Sequence, residues 1–258
     1  MPANKKLGQH WLQDPLILQA IADYAKLNKS DFVVEVGPGL GTLTSKLLKS
    51  DAKVLAIEFD EKLASDLPKS FPGKTNLEVV NSDIRTFNFE ELQKNYKLVA
   101  NLPYYISGIF FRNLIEMKNK PSLAVVLVQK EVAEKMAQSP ENGNSNKLAM
   151  LINYFYKTEL GIIVGIESFS PPPKVKSQVI ILEPREETLF NIDFKRYSQL
   201  VKFSFSSPRK TLVNNLCAGL RISKQEVSTR LTQLNLNLET RAEELSLEQW
   251  QKLFRILA

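Results

Sequence analysis

The sequence predicts an α/β fold: a doubly wound, mostly parallel sheet covered by helices, with a small all-helical C-terminal domain. Three observations predict it. Short apolar runs alternate with stretches of helical periodicity through the first half of the chain. Glycines crowd the turn after the first of those runs, and β-rich runs stop past Pro184.

Pro15 to Ala25 carries apolar residues at helical spacing, and after the turn Asn28 to Asp31 the run Phe32 to Val36 reads as a buried strand. Thr42 to Leu48 reads as the next helix, Lys53 to Ile57 as the second strand, Glu61 to Leu67 as a helix and Leu77 to Val80 as the third strand. This βαβαβ alternation implies parallel strands joined by crossover helices. Leu98 to Ala100 closes a fourth strand, Ile106 to Met117 is a helix, and Ala124 to Gln129 is a fifth strand with a helix behind it. The polar stretch Ser139 to Asn146 reads as a loop leading into another helix. Leu160 to Ile166 and Gln178 to Leu182 are separated by FSPPPKVKS, too short for a crossover helix, so antiparallel pairing is expected between them. The boundary near residue 184 gives two expected domains, 1–184 and 185–258.

The chain has 258 residues, 43% hydrophobic and 24% charged, with a formal charge of +6. That is an ordinary globular composition whose positive balance favours a polyanionic partner, nucleic acid foremost. No apolar run reaches the length of a membrane span, and MPANKKLGQHW lacks the apolar core of a signal peptide, so a soluble cytoplasmic protein, with no membrane partner, is expected. With one cysteine, Cys217, and one histidine, His10, there is no internal disulfide, no histidine-rich metal site and no Ser-His-Asp triad; no metal is expected.

The motif EVGPGLG, Glu35 to Gly41, lies between the first strand and its helix. Glycines there, Gly37 and Gly39 foremost, let the backbone approach a nucleotide-like cofactor. The spacing is G-x-G-x-G followed by Thr42, which weakens a dinucleotide reading. Glu58 ends the second strand, where a carboxylate can accept from both ribose hydroxyls. Asp83, after the third strand, is placed to take an adenine amino group. A glycine loop alone is about as often a tight turn, and an acid closing a strand is usually a solvated cap. Three such features on consecutive strand ends argue for a cofactor site.

NLPYY closes the fourth strand. Asn101 offers an amide oxygen that accepts from an amino group. Pro103 fixes its own φ and holds Leu102 extended, so that a backbone carbonyl can serve as a second acceptor. Tyr104 offers a flat face for a base. Gripping both hydrogens of an exocyclic amine draws its nitrogen toward tetrahedral geometry and frees the lone pair for an electrophilic methyl group. A polar packing turn is the plain alternative for an isolated N-x-P-Y.

The segments LGQHWLQD (7–14), EVGPGLGTLT (35–44), IEFD (57–60), SDIRTFNF (82–89), NLPYYIS (101–107), QKEVAEKM (129–136), FSPPPKVKS (169–177) and FSSPRKTLVNNL (205–216) resemble the small-subunit ribosomal RNA adenine dimethyltransferases nearly end to end. The resemblance implies a class I, Rossmann-like methyltransferase using S-adenosylmethionine, held by His10, Leu12, Gly37, Gly39, Glu58, Asp83 and Asn101. It implies a target adenine held near Tyr104 and Phe169, beside the catalytic Asn101, Leu102 and Pro103, and two adjacent adenines dimethylated near the 3′ end of the small-subunit RNA. Lys174, Lys176, Arg209 and Lys210 are the basic residues expected on RNA phosphates. A monomer acting on a partly assembled small ribosomal subunit is expected. The family commonly has Asn at the positions of His10 and Tyr105, Phe at Trp11 and an acid at Lys176. Two alternatives stay open: a resistance-type methyltransferase of large-subunit RNA, and a non-catalytic RNA- or DNA-binding factor of the same fold.

Overall fold

The computed structural model describes residues 10–142, 144–190 and 192–257. Residues 7–9 of the first motif, and most of the segment read as lacking a signal peptide, lie outside them. Two compact units emerge, one of residues 1–134 and 157–184, the other of 135–156 and 185–258.

In the first unit, the short strand β1 (Trp11–Leu12) precedes helix α1 (Pro15–Tyr24). Asp14 caps α1 by accepting from the Leu16 and Ile17 amides at 2.9 and 3.3 Å, and Pro15 occupies the first turn, where its missing N–H does no harm. Then follow β2 (Phe32–Val36), α2 (Thr44–Leu47), β3 (Lys53–Glu58), α3 (Glu61–Asp66), β4 (Leu77–Asn81), β5 (Lys97–Asn101), α4 (Ser107–Glu116), β6 (Leu123–Gln129) and α5 (Lys130–Met136). After α6 (Lys147–Phe155) come β7 (Tyr156–Val164), β8 (Phe169–Ser170) and β9 (Ser177–Pro184).

Among the described residues the large sheet runs β4-β3-β2-β5-β6-β9-β7. The pairs β2 with β3, β3 with β4, β2 with β5 and β5 with β6 are parallel, and β9 runs antiparallel to β6. Every residue of β2 is buried, as expected of a strand with helices on both faces. β7 lies beside β9 and starts earlier than the sequence pattern suggests. Because β3 and β5 flank β2 on opposite sides, the chain reverses direction across the sheet there, and the carboxyl ends of these strands frame a crevice. Leu18 and Ile21 of α1 pack with Val33, Val54, Val99, Val125, Leu127, Val179 and Ile181 in one core beneath that edge.

The second unit is built around aromatic packing. The sequence reading places residues 135–156 with the first domain, whereas they group with the C-terminal helices α7 (Phe194–Ser204), α8 (Leu212–Leu220), α9 (Lys224–Gln233) and α10 (Leu247–Leu257). The reason lies in α6. Tyr197 of α7, fully buried, donates its hydroxyl to the Met150 carbonyl at 2.7 Å, and Tyr154 donates to that of Ile192 at 2.8 Å. Tyr154, Phe194, Tyr197, Phe190 and Phe254 form one chain of ring contacts: Phe194 and Phe190 stack on Tyr197, Tyr154 meets Phe194 and Tyr197 at a tilt, and Phe254 meets Phe190 edge-on. Asn215 donates to the Ser204 and Ser207 carbonyls at 2.8 and 3.1 Å, fixing the turn that carries Arg209 and Lys210. No helix among the described residues is long and apolar enough to cross a membrane.

Candidate active site

Four strand ends meet in the order β4, β3, β2, β5, and Gly37, Gly39, Glu58, Asp83 and Asn101 stand at or just past them. Gly37 follows β2 at φ +69°, its amide bonded to the Ile57 carbonyl at 2.9 Å. A Cβ added there would meet only the Asn101 carbonyl, at 3.9 Å, so the loop faces the β5 end across open space. At Gly39, φ +57°, a Cβ would run into the Trp11 indole. The glycines therefore serve two needs, a left-handed backbone and the close approach of β1.

Glu58 is 6% exposed. One carboxyl oxygen accepts from the Asp60 amide at 2.9 Å and the other from the Gly39 amide at 3.0 Å. Burial raises its pKa above the usual carboxylate value, and those amides oppose the rise. Each oxygen keeps a lone pair for a ligand, and the residue lines both halves of the crevice. Asp83 is differently placed from the simple expectation, because its carboxylate is already engaged. Arg85 Nε donates to both oxygens at 2.9 and 2.8 Å, Nη2 donates as well, and the Arg85 amide adds a bond of 2.9 Å. This pairing holds the Asp83 carboxyl below its ordinary pKa. Both residues line a slot with Ile57, Phe59, Ile84 and Tyr105.

Beneath the glycine loop, Glu35 is 1% exposed and neither carboxyl oxygen has a protein hydrogen bond of good geometry. Burial pushes its pKa from 4.5 to about 8; the nearby Thr44 offsets part of the rise and the charge of Glu58 adds to it. The sequence reading gave Glu35 no role of its own.

Asn101 ends β5 opposite Leu127, and the Leu102 amide donates to the Leu127 carbonyl at 3.1 Å. Pro103 sits at φ −56°, ψ 137° and starts a short 3₁₀ turn over Tyr104–Ile106. The Pro103 carbonyl accepts from the Ile106 amide at 3.1 Å. Among the described residues neither the Asn101 amide group nor the Leu102 carbonyl has a hydrogen-bond partner, and both residues line the crevice. The proline thus selects Leu102, and not itself, as the free backbone acceptor.

The wall opposite comes from two distant segments. β1 pairs antiparallel with β8, setting Leu12 against Phe169 and Trp11 against Ser170, and the Gln13 amide donates to the Ser168 carbonyl at 3.0 Å. His10 Nδ1 lies 2.7 Å from the Pro171 carbonyl; a carbonyl only accepts, so Nδ1 carries the hydrogen. The His10 ring stacks on that of Tyr104 with centroids 5.7 Å apart. Phe169 is nearly buried and belongs to a strand, where the sequence reading put it at the mouth of a loop; it still lines the crevice beside Tyr104. Tyr104 Oη lies 2.9 Å from Ser177 Oγ.

Lys174 and Lys176 are exposed on the loop between β8 and β9 of the first unit, and Arg209 and Lys210 are exposed before α8 in the second. Ser177, Arg85 and Glu35 are what sequence reasoning passed over. Ser177 closes the motif FSPPPKVKS and Arg85 follows Asp83 by two positions, so a local signal existed only for Arg85.

The model of one family, ribosomal RNA adenine dimethylase, matches residues 1–258. A ribosomal RNA small subunit methyltransferase A from Dehalococcoides mccartyi is 39% identical over 255 residues, covering 97% of this chain and 87% of the relative. Among solved structures, a dimethyladenosine transferase from Plasmodium falciparum matches with a TM-score of 0.79 and 31% identity, over 95% of this chain and 96% of that one. The 23S rRNA methyltransferase ErmE matches with a TM-score of 0.78 and 27% identity, over 96% and 99%. With a crevice at the carboxyl ends of β2 to β5 and these likenesses along its whole length, the chain belongs to the ribosomal RNA adenine dimethylase family.

Proposed function

We propose that this protein dimethylates the N6 amino groups of two adjacent adenines near the 3′ end of small-subunit ribosomal RNA, acting in the cytoplasm as a monomer on a partly assembled subunit, with S-adenosylmethionine as methyl donor. The observation that carries the reading is the pair of acceptors at the β5 end, the Asn101 amide and the Leu102 carbonyl, without protein partners beside the Tyr104 ring.

The crevice suits that donor. Glu58 is a nearly buried carboxylate with lone pairs left for ribose hydroxyls, and Gly37 opens space that a side chain would fill. Asp83 would take the adenine amino group, sharing its oxygens with Arg85. His10 and Leu12 close the other end from β1. When bound, S-adenosylmethionine supplies an electrophilic methyl group.

The remaining work falls to the chain's own groups. A target adenine must leave its stack at a cost of a few kcal/mol, which stacking on Tyr104 and contact with Phe169 offset. Asn101 Oδ1 and the Leu102 carbonyl accept its two amino hydrogens, pulling the nitrogen out of conjugation with the ring. The proton lost from the alkylated nitrogen goes to water, so no strong side-chain base is needed. Catalysis is then mainly positioning. After one methylation a single N–H remains, and one acceptor suffices to hold it for the second transfer.

Lys174 and Lys176 in one unit, and Arg209 and Lys210 in the other, would contact RNA phosphates. ErmE resembles the chain in fold almost as well, but the relative named for the small subunit is more alike in sequence. Methylation assays comparing partly assembled small subunits, deproteinised RNA and duplex DNA test the proposal. The assembled particle is expected to react much faster at every salt concentration. Equal rates on deproteinised RNA would reject the assembled substrate, and preference for large-subunit RNA would favour the resistance-type reading.

A further inference from the structure

Tyr104 has little backbone freedom. Pro103 fixes the approach, and the 3₁₀ turn over Tyr104–Ile106 is closed by the bond from the Ile106 amide to the Pro103 carbonyl. What remains is rotation about the side-chain bonds: the first sets where the ring axis points, and the second spins the ring about that axis. A phenol oxygen sits at the far end of the ring axis, so one bond to it restrains the direction of that axis and the place of the ring. Ser177 Oγ, at 2.9 Å, makes the one hydrogen bond that the Tyr104 side chain has among the described residues.

The anchor itself is firm. Ser177 is 1% exposed and is the first residue of β9, in register with Gln129 of β6. Beside it the Lys130 amide donates to the Lys176 carbonyl at 3.0 Å, tying the strand start to the sheet. The hydroxyl that meets Tyr104 is therefore carried by the sheet and not by the proline loop. The His10 ring, one residue before β1, stacks on the same ring and limits its spin about that axis. A buried serine brings no packing that alanine would lack, so its contribution at this place is the hydroxyl.

We infer that Ser177 is a positioning residue for methyl transfer: its hydroxyl fixes the axis, and so the place, of the Tyr104 ring on which the target adenine stacks, 73 positions away in sequence. The inference rests on the methyl-transfer reading proposed above, and it predicts a particular pattern of coupling. Ser177→Ala lowers turnover on saturating subunit particles by about two- to tenfold, the worth of one neutral hydrogen bond, and leaves KM for the particle nearly unchanged. Tyr104→Phe removes the same bond from the other side and gives a similar loss. The double variant is no worse than either single one. Ser177→Thr, which keeps the hydroxyl, restores most of the turnover.

The experiment is this double-mutant cycle on the full chain, with melting temperature and calorimetric binding of S-adenosylhomocysteine recorded for each variant. Should Ser177→Ala be unstable, Ser177→Cys carries the same cycle with a much weaker donor. Losses that multiply in the double variant, or a Ser177→Ala enzyme with wild-type turnover, overturn the positioning role. A wild-type protein that binds S-adenosylhomocysteine but methylates no ribosomal particle overturns the methyl-transfer reading instead.

Discussion

Glu35→Gln isolates the electrostatic strain beneath the glycine loop. The Glu35 carboxyl is buried without a protein hydrogen bond of good geometry, and its pKa rises from 4.5 to about 8. A carboxyl whose folded pKa lies above its unfolded one binds its proton more tightly when folded. Its stabilising effect is complete below about pH 4.5 and is lost as the pH rises through about 8. Each pH unit inside that window is worth about 1.4 kcal/mol. Between pH 5 and 7 the wild type should therefore lose about 2–3 kcal/mol through this group, or roughly 5–10 °C in melting temperature for a unit of this size. Glutamine has nearly the same shape and does not ionise. It still buries an amide, but that penalty does not vary with pH, so the difference between the two melting curves reports the carboxyl alone. Scanning calorimetry of both proteins at pH 5, 6, 7 and 8 should show the variant gaining on the wild type at each step. A constant offset across that range would show instead that Glu35 is already ionised, or solvated, in the folded protein.

Three further substitutions probe the crevice. Asn101→Ala should lower turnover by about a hundredfold or more while leaving RNA binding within about twofold; near wild-type turnover in a methylation assay would make NLPY a packing turn. Glu58→Ala should weaken S-adenosylhomocysteine binding by about 1.5–3 kcal/mol, and it should lower the melting temperature too, because the Gly39 and Asp60 amides lose their acceptor; calorimetry showing unchanged affinity would end the ribose assignment. Arg85→Met should tighten S-adenosylhomocysteine binding a few-fold by releasing Asp83 from its exposed ion pair, whereas weaker binding would show that the guanidinium holds the ligand itself.

Most of the strand ends were legible because their chemistry is local. A glycine-rich turn after an apolar run, an acid closing the next one and an amide followed by proline each announce themselves within a few residues, and the parallel order of β2 to β5 brings them together. What was hidden depends on contacts between distant segments. The bond from His10 to Pro171 spans 161 positions and that from Tyr104 to Ser177 spans 73, and no periodicity records either. Phe169 reads as a loop residue until β1 arrives to pair with it. The grouping of residues 135–156 with the C-terminal helices turns on tyrosine hydroxyls reaching backbone carbonyls, which an apolar pattern cannot specify. The place of Asp83 after β4 is legible in the sequence, but its pairing with Arg85 is a matter of side-chain geometry.

The central claim is that this chain modifies small-subunit RNA at two neighbouring adenines. Mapping dimethyladenosine in ribosomal RNA from cells with and without the protein tests it most directly. Two adjacent dimethyladenosines near the 3′ end of the small-subunit RNA are expected to vanish without the protein and to return with the wild-type chain but not with Asn101→Ala. Dimethylation of that site persisting in its absence, or a mark lost only from large-subunit RNA, would contradict it.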